Sequence, residues 1–192
     1  MRLLNLASAL LTLSVMSGAA VAQDAYPSKP IRFIVPFAPG GGADISARVI
    51  AMKMGAAMGQ TVVVENRPGA GGVIGTDMVA KAPADGYTIL LGTIGPIAIN
   101  PSLYKKLSYN VDRDFTPISL VGNALNVLVV NPALPVKSVP ELISYAKTHP
   151  VAFGSSGNGA TDHLAGEMFN SLTGLSMLHV AYKGGVPAMT DL

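Results

Sequence analysis

Short apolar runs that break into glycine- or proline-rich loops and reopen as helices recur along this chain, and they constrain its fold more than any other feature. Ile31-Arg32-Phe33-Ile34-Val35 reads as a buried strand. Pro36 to Gly42 (PFAPGGG) has to be loop, and from Asp44 the residues Ile45, Val49, Met52 and Ala56 recur at helical spacing up to about Met58, where Gly59 is a stop signal. A second strand over Thr61 to Glu65, a loop over Asn66 to Gly72, a helix over Val73 to Lys81 and a strand over Thr88 to Leu91 follow. The order β-loop-α-β-loop-α-β within about 60 residues predicts an α/β fold with a parallel sheet and helices on its faces.

Beyond this the pattern loosens. Asn100-Pro101 suggests the cap and first position of a short helix over Leu103 to Leu107. Phe115 to Val121 and Asn126 to Val130 are apolar runs, and Pro132, Pro135 and Pro140 cluster after them, so 122–136 reads as a crossing between two domains. Ser138-Val139-Pro140-Glu141 is a capping box opening a helix to about Lys147. A strand over 151–153, the loop Gly154 to Ala160 (GSSGNGA), a helix over 161–172 with Leu164, Met168 and Leu172 on one stripe, a strand over 178–181 and a helix from Val186 repeat the earlier plan. The expected organisation is a first α/β domain over 23–125, a crossing segment over 126–135 and a partial second α/β domain over 136–192.

The net charge of +2 argues against a nucleic-acid binder, and the lack of cysteine removes disulfides, thiolate metal sites and a cysteine nucleophile. Met1-Arg2, the apolar stretch from Leu3 to Val15 and Ala20-Val21-Ala22 read as a signal peptide over 1–22, cleaved after Ala22 for export.

Two loops share a plan suited to an anion. PFAPGGGAD and GSSGNGATD each follow a strand and open a helix, placing unsatisfied N–H groups at a positive helix end. Asp44 and Asp162 leave two readings open: each caps its own helix, or the donors stay free for a ligand. Gly40-Gly41-Gly42 fits neither G-x-G-x-x-G nor a phosphate-binding P-loop, and Gly154-Ser155-Ser156-Gly157 lacks the nucleophile-elbow spacing. His149 reads as solvated and His179 as a core residue, while His163, in the first turn after a glycine-rich loop, is a candidate ligand contact. With no H-x-x-x-H or H-E-x-x-H pair, neither a metal nor a cofactor is expected. Thr93, Ile94, Tyr182 and Gly184 follow strand ends, where open α/β sheets hold ligands.

YPSKPIRFIVPFAPGGGADISARVIA, VVVENRPGAGGVIGTDMVAKAPADGYTILLG, AINPSLYKKLSYNVDRDFTPISL, FGSSGNGATDHLAGEMF and HVAYKGGVPAMTDL together resemble the substrate-binding proteins of tripartite tricarboxylate transporters, the Bug (Bordetella uptake gene) family. The resemblance covers 26–192. It implies a periplasmic two-domain clamshell, monomeric when complete. Such a protein would bind a small carboxylate and pass it to a large and a small integral membrane subunit. It implies a site drawn from Phe37, Ala38, Gly40, Gly41, Gly42, Ala43 and Asp44, from Thr93 and Ile94, and from Ser155, Gly157, Asn158, Thr161, His163, Tyr182 and Gly184. Family members are longer, so the second domain is expected to be incomplete and the strands at 151–153 and 178–181 to expose apolar surface. A periplasmic sensor using the same site, and an exported enzyme using His163 or Asp44, are the alternatives.

Overall fold

The structure, a computed structural model, describes residues 25–192; the expected signal peptide lies outside the described residues. Strand β1 (Ile31–Val35) lies at the centre of a three-stranded parallel sheet, between β2 (Val62–Asn66) and β3 (Thr88–Leu90). Phe33 sits opposite Val64 on one side and Ile89 on the other. Four of the five β1 residues are buried, because a central parallel strand is covered on both faces.

Helix α1 (Gly42–Met58) packs on this sheet and ends at Gly59 in the left-handed conformation, as the sequence predicts. The face it buries differs from the expected stripe. Ala47 and Ala51 join Phe33, Val35 and Leu91 in the core, while Ile45, Val49 and Met52 are 57%, 52% and 63% exposed. Small side chains let the helix axis approach the sheet closely, and Ile45, Val49 and Met52 are turned outward while Ile50 packs beside the core. A single 3-10 turn (Ala70–Gly72) leads into α2 (Val73–Ala80), which packs against β1 and β3.

The helix expected over Leu103 to Leu107 forms earlier, as a π-helical turn (Gly95–Ile99) continuous with α3 (Asn100–Leu103). The Asn100 N–H donates to the carbonyl of Gly95, five residues back, and Pro101 has no N–H to give to Pro96 in that register. The Tyr109 hydroxyl donates to the Pro96 carbonyl instead, at 2.6 Å. Asn100 is therefore no cap: its side chain is fully buried inside the helical stretch. A short α4 (Val111–Asp114), unforeseen, is capped by Asn110, whose Oδ1 accepts from the Arg113 N–H at 2.9 Å.

The apolar runs at 115–121 and 126–130 form no strand. They are non-regular and solvent-facing, with Ile118 80% and Val127 78% exposed. β-Branched residues favour extended backbone, but a strand also needs a ladder, and these runs pair with neither sheet among the described residues. Helix α5 (Val139–Ala146) keeps its Ser138 cap, and Glu141 reaches back to the Lys137 N–H at 2.7 Å.

The second sheet has two parallel strands, β4 (Ala152–Ser155) and β5 (Leu178–Ala181), with Phe153 opposite His179. Helix α6 (Thr161–Thr173) and α7 (Gly185–Asp191) pack against it. Leu164, Met168 and Leu172 face solvent, and Leu178 is 68% exposed. The apolar surface expected around this sheet is thus bare.

Because β1 is doubly covered and β5 is not, amide exchange should differ sharply between the sheets. The Phe33 to Val35 amides should exchange at least about ten-fold more slowly than those of His179 to Ala181, read by hydrogen–deuterium exchange, with equal protection contradicting this burial argument.

Candidate functional site

The loop between β1 and α1 is organised by one carboxylate. Asp44 is the third residue of α1 and only 3% exposed. It reaches back to accept the Gly40 N–H at 2.8 Å, takes the Arg48 guanidinium at 3.0 Å and accepts from Asn66 Nδ2 at 2.9 Å. The same Asn66 amide donates to the Phe37 carbonyl at 3.1 Å, tying the end of β2 to the loop. The N-cap position is Gly41, which has no side chain to offer, so the start of α1 lacks a side-chain cap. Asp44 thus consumes one loop donor and leaves the first-turn amides open.

The second loop repeats this device on a different sheet. Asp162, in the first turn of α6, accepts from the Ser156 N–H at 2.8 Å and from its hydroxyl at 2.6 Å. The N-cap residue is Ala160, again without a side-chain cap. Ser155, almost fully buried, accepts the Gly157 N–H at 3.2 Å and lies 2.6 Å from His179 Nε2. Thr161 donates its hydroxyl to Asn126 Oδ1 at 3.3 Å.

The loops of the two sheets meet. The Ala38 N–H donates to the Lys183 carbonyl at 3.3 Å, and Gly184 lies against Ala38. Gly157 touches both the Tyr182 carbonyl and Gly71, Asn158 presents its carbonyl to Gly71, and Gly159 abuts Gly95 and Asn100. Phe37 to Asp44, Gly157, Asn158 and Gly184 therefore belong to one contiguous cluster. Thr93 closes the end of β3 with its hydroxyl buried and unpartnered, while the Ile94 side chain is exposed. Tyr182 turns outward, donating to Asp191 at 2.5 Å, an interaction that raises its pKa. Arg48 and Asn66 escaped the sequence reading, and Asn100 was expected only as a helix cap; Arg48, four residues after Asp44 on one helix face, carried a legible signal.

His163 does not stand free. Its Nδ1 accepts the Gly159 N–H at 3.2 Å, and its ring stacks on His179 with centroids 4.1 Å apart. Desolvation and the neighbouring His163 lower the His179 pKa. Glu167 completes a trio whose ligand atoms lie within 4.8 Å of one another. The trio fits a cation poorly: stacked rings aim their lone pairs side by side, and the Gly159 N–H already holds one of them. A neutral His163 in this arrangement carries its proton on Nε2, toward Glu167. His149, as expected, is exposed at the end of α5, stacked on Tyr145. Two open grooves lie apart from the loops. One of about 580 Å³ lies between α1 and β2, lined by Arg48, Met52 and Gly55 among others, and one of about 380 Å³ lies beside Tyr104 and Tyr109. Neither is lined by a residue expected to hold ligand.

The Arg48 contact, joined by the Gly40 and Asn66 donors, holds the Asp44 carboxyl at about 2, against a desolvation cost that opposes it. A folded-state pKa below the unfolded value means stability that is complete above about pH 4 and lost as pH falls through about 2. Asp44→Asn should lower stability at pH 7 by about 1–2 kcal/mol, allowing for the half-exposed arginine. It should also flatten the acid limb of the stability profile between about pH 4 and pH 2, leaving the share of Glu65, similarly depressed by Arg32 and Arg67. Urea melts across that range provide the check, and an unchanged acid limb would remove Asp44 as the organiser of the loop.

Comparison with known proteins places these loops in context. Residues 46–192 match the model of the tripartite tricarboxylate transporter family receptor. The chain is 47% identical over 177 residues to Protein BugT of Bordetella pertussis, covering 91% of this chain and 54% of BugT. Among solved structures it resembles R. palustris Rpa4515 with adipate, at 41% identity and a TM-score of 0.84, covering 87% of this chain and 56% of that one. It also resembles the periplasmic binding protein BugD, at 41% identity and a TM-score of 0.78, with the same coverage. The chain thus spans a little over half the length of the relatives it matches. Over that span it has the α/β fold of a periplasmic binding protein, and it belongs to the tripartite tricarboxylate transporter receptor family that includes the Bug proteins.

Proposed function

We propose that this chain is the receptor part of a periplasmic uptake system. It captures a small organic dicarboxylate and delivers it to the large and small integral subunits of a tripartite tricarboxylate-type transporter, with no reaction catalysed. The observation that carries the reading is the pair of helix starts, α1 at Gly41 and α6 at Ala160, both without a side-chain cap and both fed by glycine loops that meet. Helix starts of this kind favour anions. The adipate held by the R. palustris relative supports a carboxylate as that anion.

In this reading Gly40 to Ala43, Thr93 and Ile94 hold the ligand from the first domain, 23–125. Ser155, Gly157, Asn158, Thr161 and His163 hold it from the second, 136–192, with Tyr182 and Gly184 behind, and 126–135 crosses between the two. Phe37, Ala38 and Asp44 shape the loop. Export follows from the leader, and mass spectrometry of periplasmic protein should find Gln23 at the mature N-terminus.

Gly42 offers a selective test, because a Cβ there meets nothing within 4 Å. Gly42→Asp puts a carboxylate into the first turn of α1, where it should raise helix stability by about 0.3–1 kcal/mol and compete with a bound anion. Calorimetric titration with adipate, malate, citrate, glucose and ATP should show binding of the organic acids alone, weakened at least about ten-fold in Gly42→Asp. Binding confined to glucose or ATP, or adipate binding indifferent to Gly42→Asp, would overturn the reading.

A further inference from the structure

The contact between the two sheets' loops is made by backbone rather than by side chains. At Gly71, where φ is +59°, a Cβ would lie 1.8 Å from the Asn158 carbonyl oxygen. At Gly95 it would lie 2.8 Å from the Gly159 carbonyl oxygen, closer than real Cβ contacts come. Asn100 sits at the same place. It is fully buried, its Nδ2 donates to the Gly71 carbonyl at 3.4 Å, and its unpartnered Oδ1 would lie 2.1 Å from a Cβ on Gly159. Gly71 from the first sheet's loops and Gly159 from the second's thus flank one buried amide, with Gly95 lying against Gly159.

We infer that Gly71 and Gly95 are the positioning residues for closure, bringing the first sheet's loops onto Asn158 and Gly159 so that both helix starts can act on one ligand. Any side chain at either position wedges the loops apart. The steric claim stands without a ligand; its consequence for affinity rests on the receptor reading above.

The lack of cysteine makes the test direct. Cysteines replacing Val49 on α1 and Met168 on α6, both exposed, carry spin labels, and pulsed electron resonance reads the distance between the sheets. Gly95→Ala adds a methyl group without a left-handed backbone cost. Gly71→Ala carries that cost, of about 1–2 kcal/mol. Gly59→Ala is its control, with φ of +65° and nothing within 4 Å of its Cβ. Gly95→Ala and Gly71→Ala should shift the distance distribution to longer values with far-ultraviolet dichroism unchanged, while Gly59→Ala keeps the parent distribution. Adipate affinity should fall at least ten-fold in the first two variants only. Parent-like distances in both Gly95→Ala and Gly71→Ala would overturn the inference, as would an equal shift in Gly59→Ala. Lengthened distances with no adipate binding in any protein would leave the seam standing and remove the receptor reading.

Discussion

The loop that opens α1 depends on a single buried carboxylate. Asp44 holds the Gly40 N–H, the Arg48 guanidinium and the Asn66 amide at once, and Asn66 in turn holds the Phe37 carbonyl. A loop with two prolines and three glycines has little local preference to settle it, so its shape comes from these four attachments. A charge buried to this degree is tolerated only when its oxygens are fully engaged, and here they are. The arrangement joins the ends of β1 and β2 to the start of α1, so the position of that helix start follows from the hydrogen bonds of one side chain.

The second sheet solves the same problem with Asp162 and Ser156. In both loops the acid reaches backward into the loop and leaves the helix N-cap to a residue without a capping group, Gly41 or Ala160. That combination gives a rigid loop and a helix start without a side-chain cap together. A side-chain cap would have satisfied first-turn amides internally; Asp44 takes none of them, and Asp162 takes only that of His163, at 3.0 Å. His163 contributes in the same manner, accepting the Gly159 N–H and so bracing the part of the loop that meets the first sheet.

Elements set by local pattern were legible in the sequence. The strand-loop-helix alternation located β1 to β3, α1, α5, α6 and β5, and Gly59 marked the end of α1 correctly. Readings that needed long-range information failed. The outward turn of Ile45, Val49 and Met52 reflects a helix that meets the sheet through Ala47, Ile50 and Ala51, which periodicity alone does not reveal. The early π turn before Asn100 depends on Tyr109, nine residues later, taking over the Pro96 carbonyl. The runs at 115–130 have strand composition but pair with neither sheet among the described residues. At the site, the glycine loops and Asp44 could be found by motif. Asn66, 22 residues from Asp44, and Asn100, 59 residues from Gly159, are joined to them only by the fold.

Chemical-shift mapping with adipate tests most directly the claim that two uncapped helix starts act on one carboxylate. In two-dimensional amide spectra of the uniformly nitrogen-15-labelled chain, the account predicts that the largest shifts fall on Gly41 to Ala43 and on Thr161 and Asp162, saturating together at one concentration. Shifts gathered around Met52, Gly55 and Gln60 in the groove between α1 and β2, with the two helix starts unmoved, would contradict it.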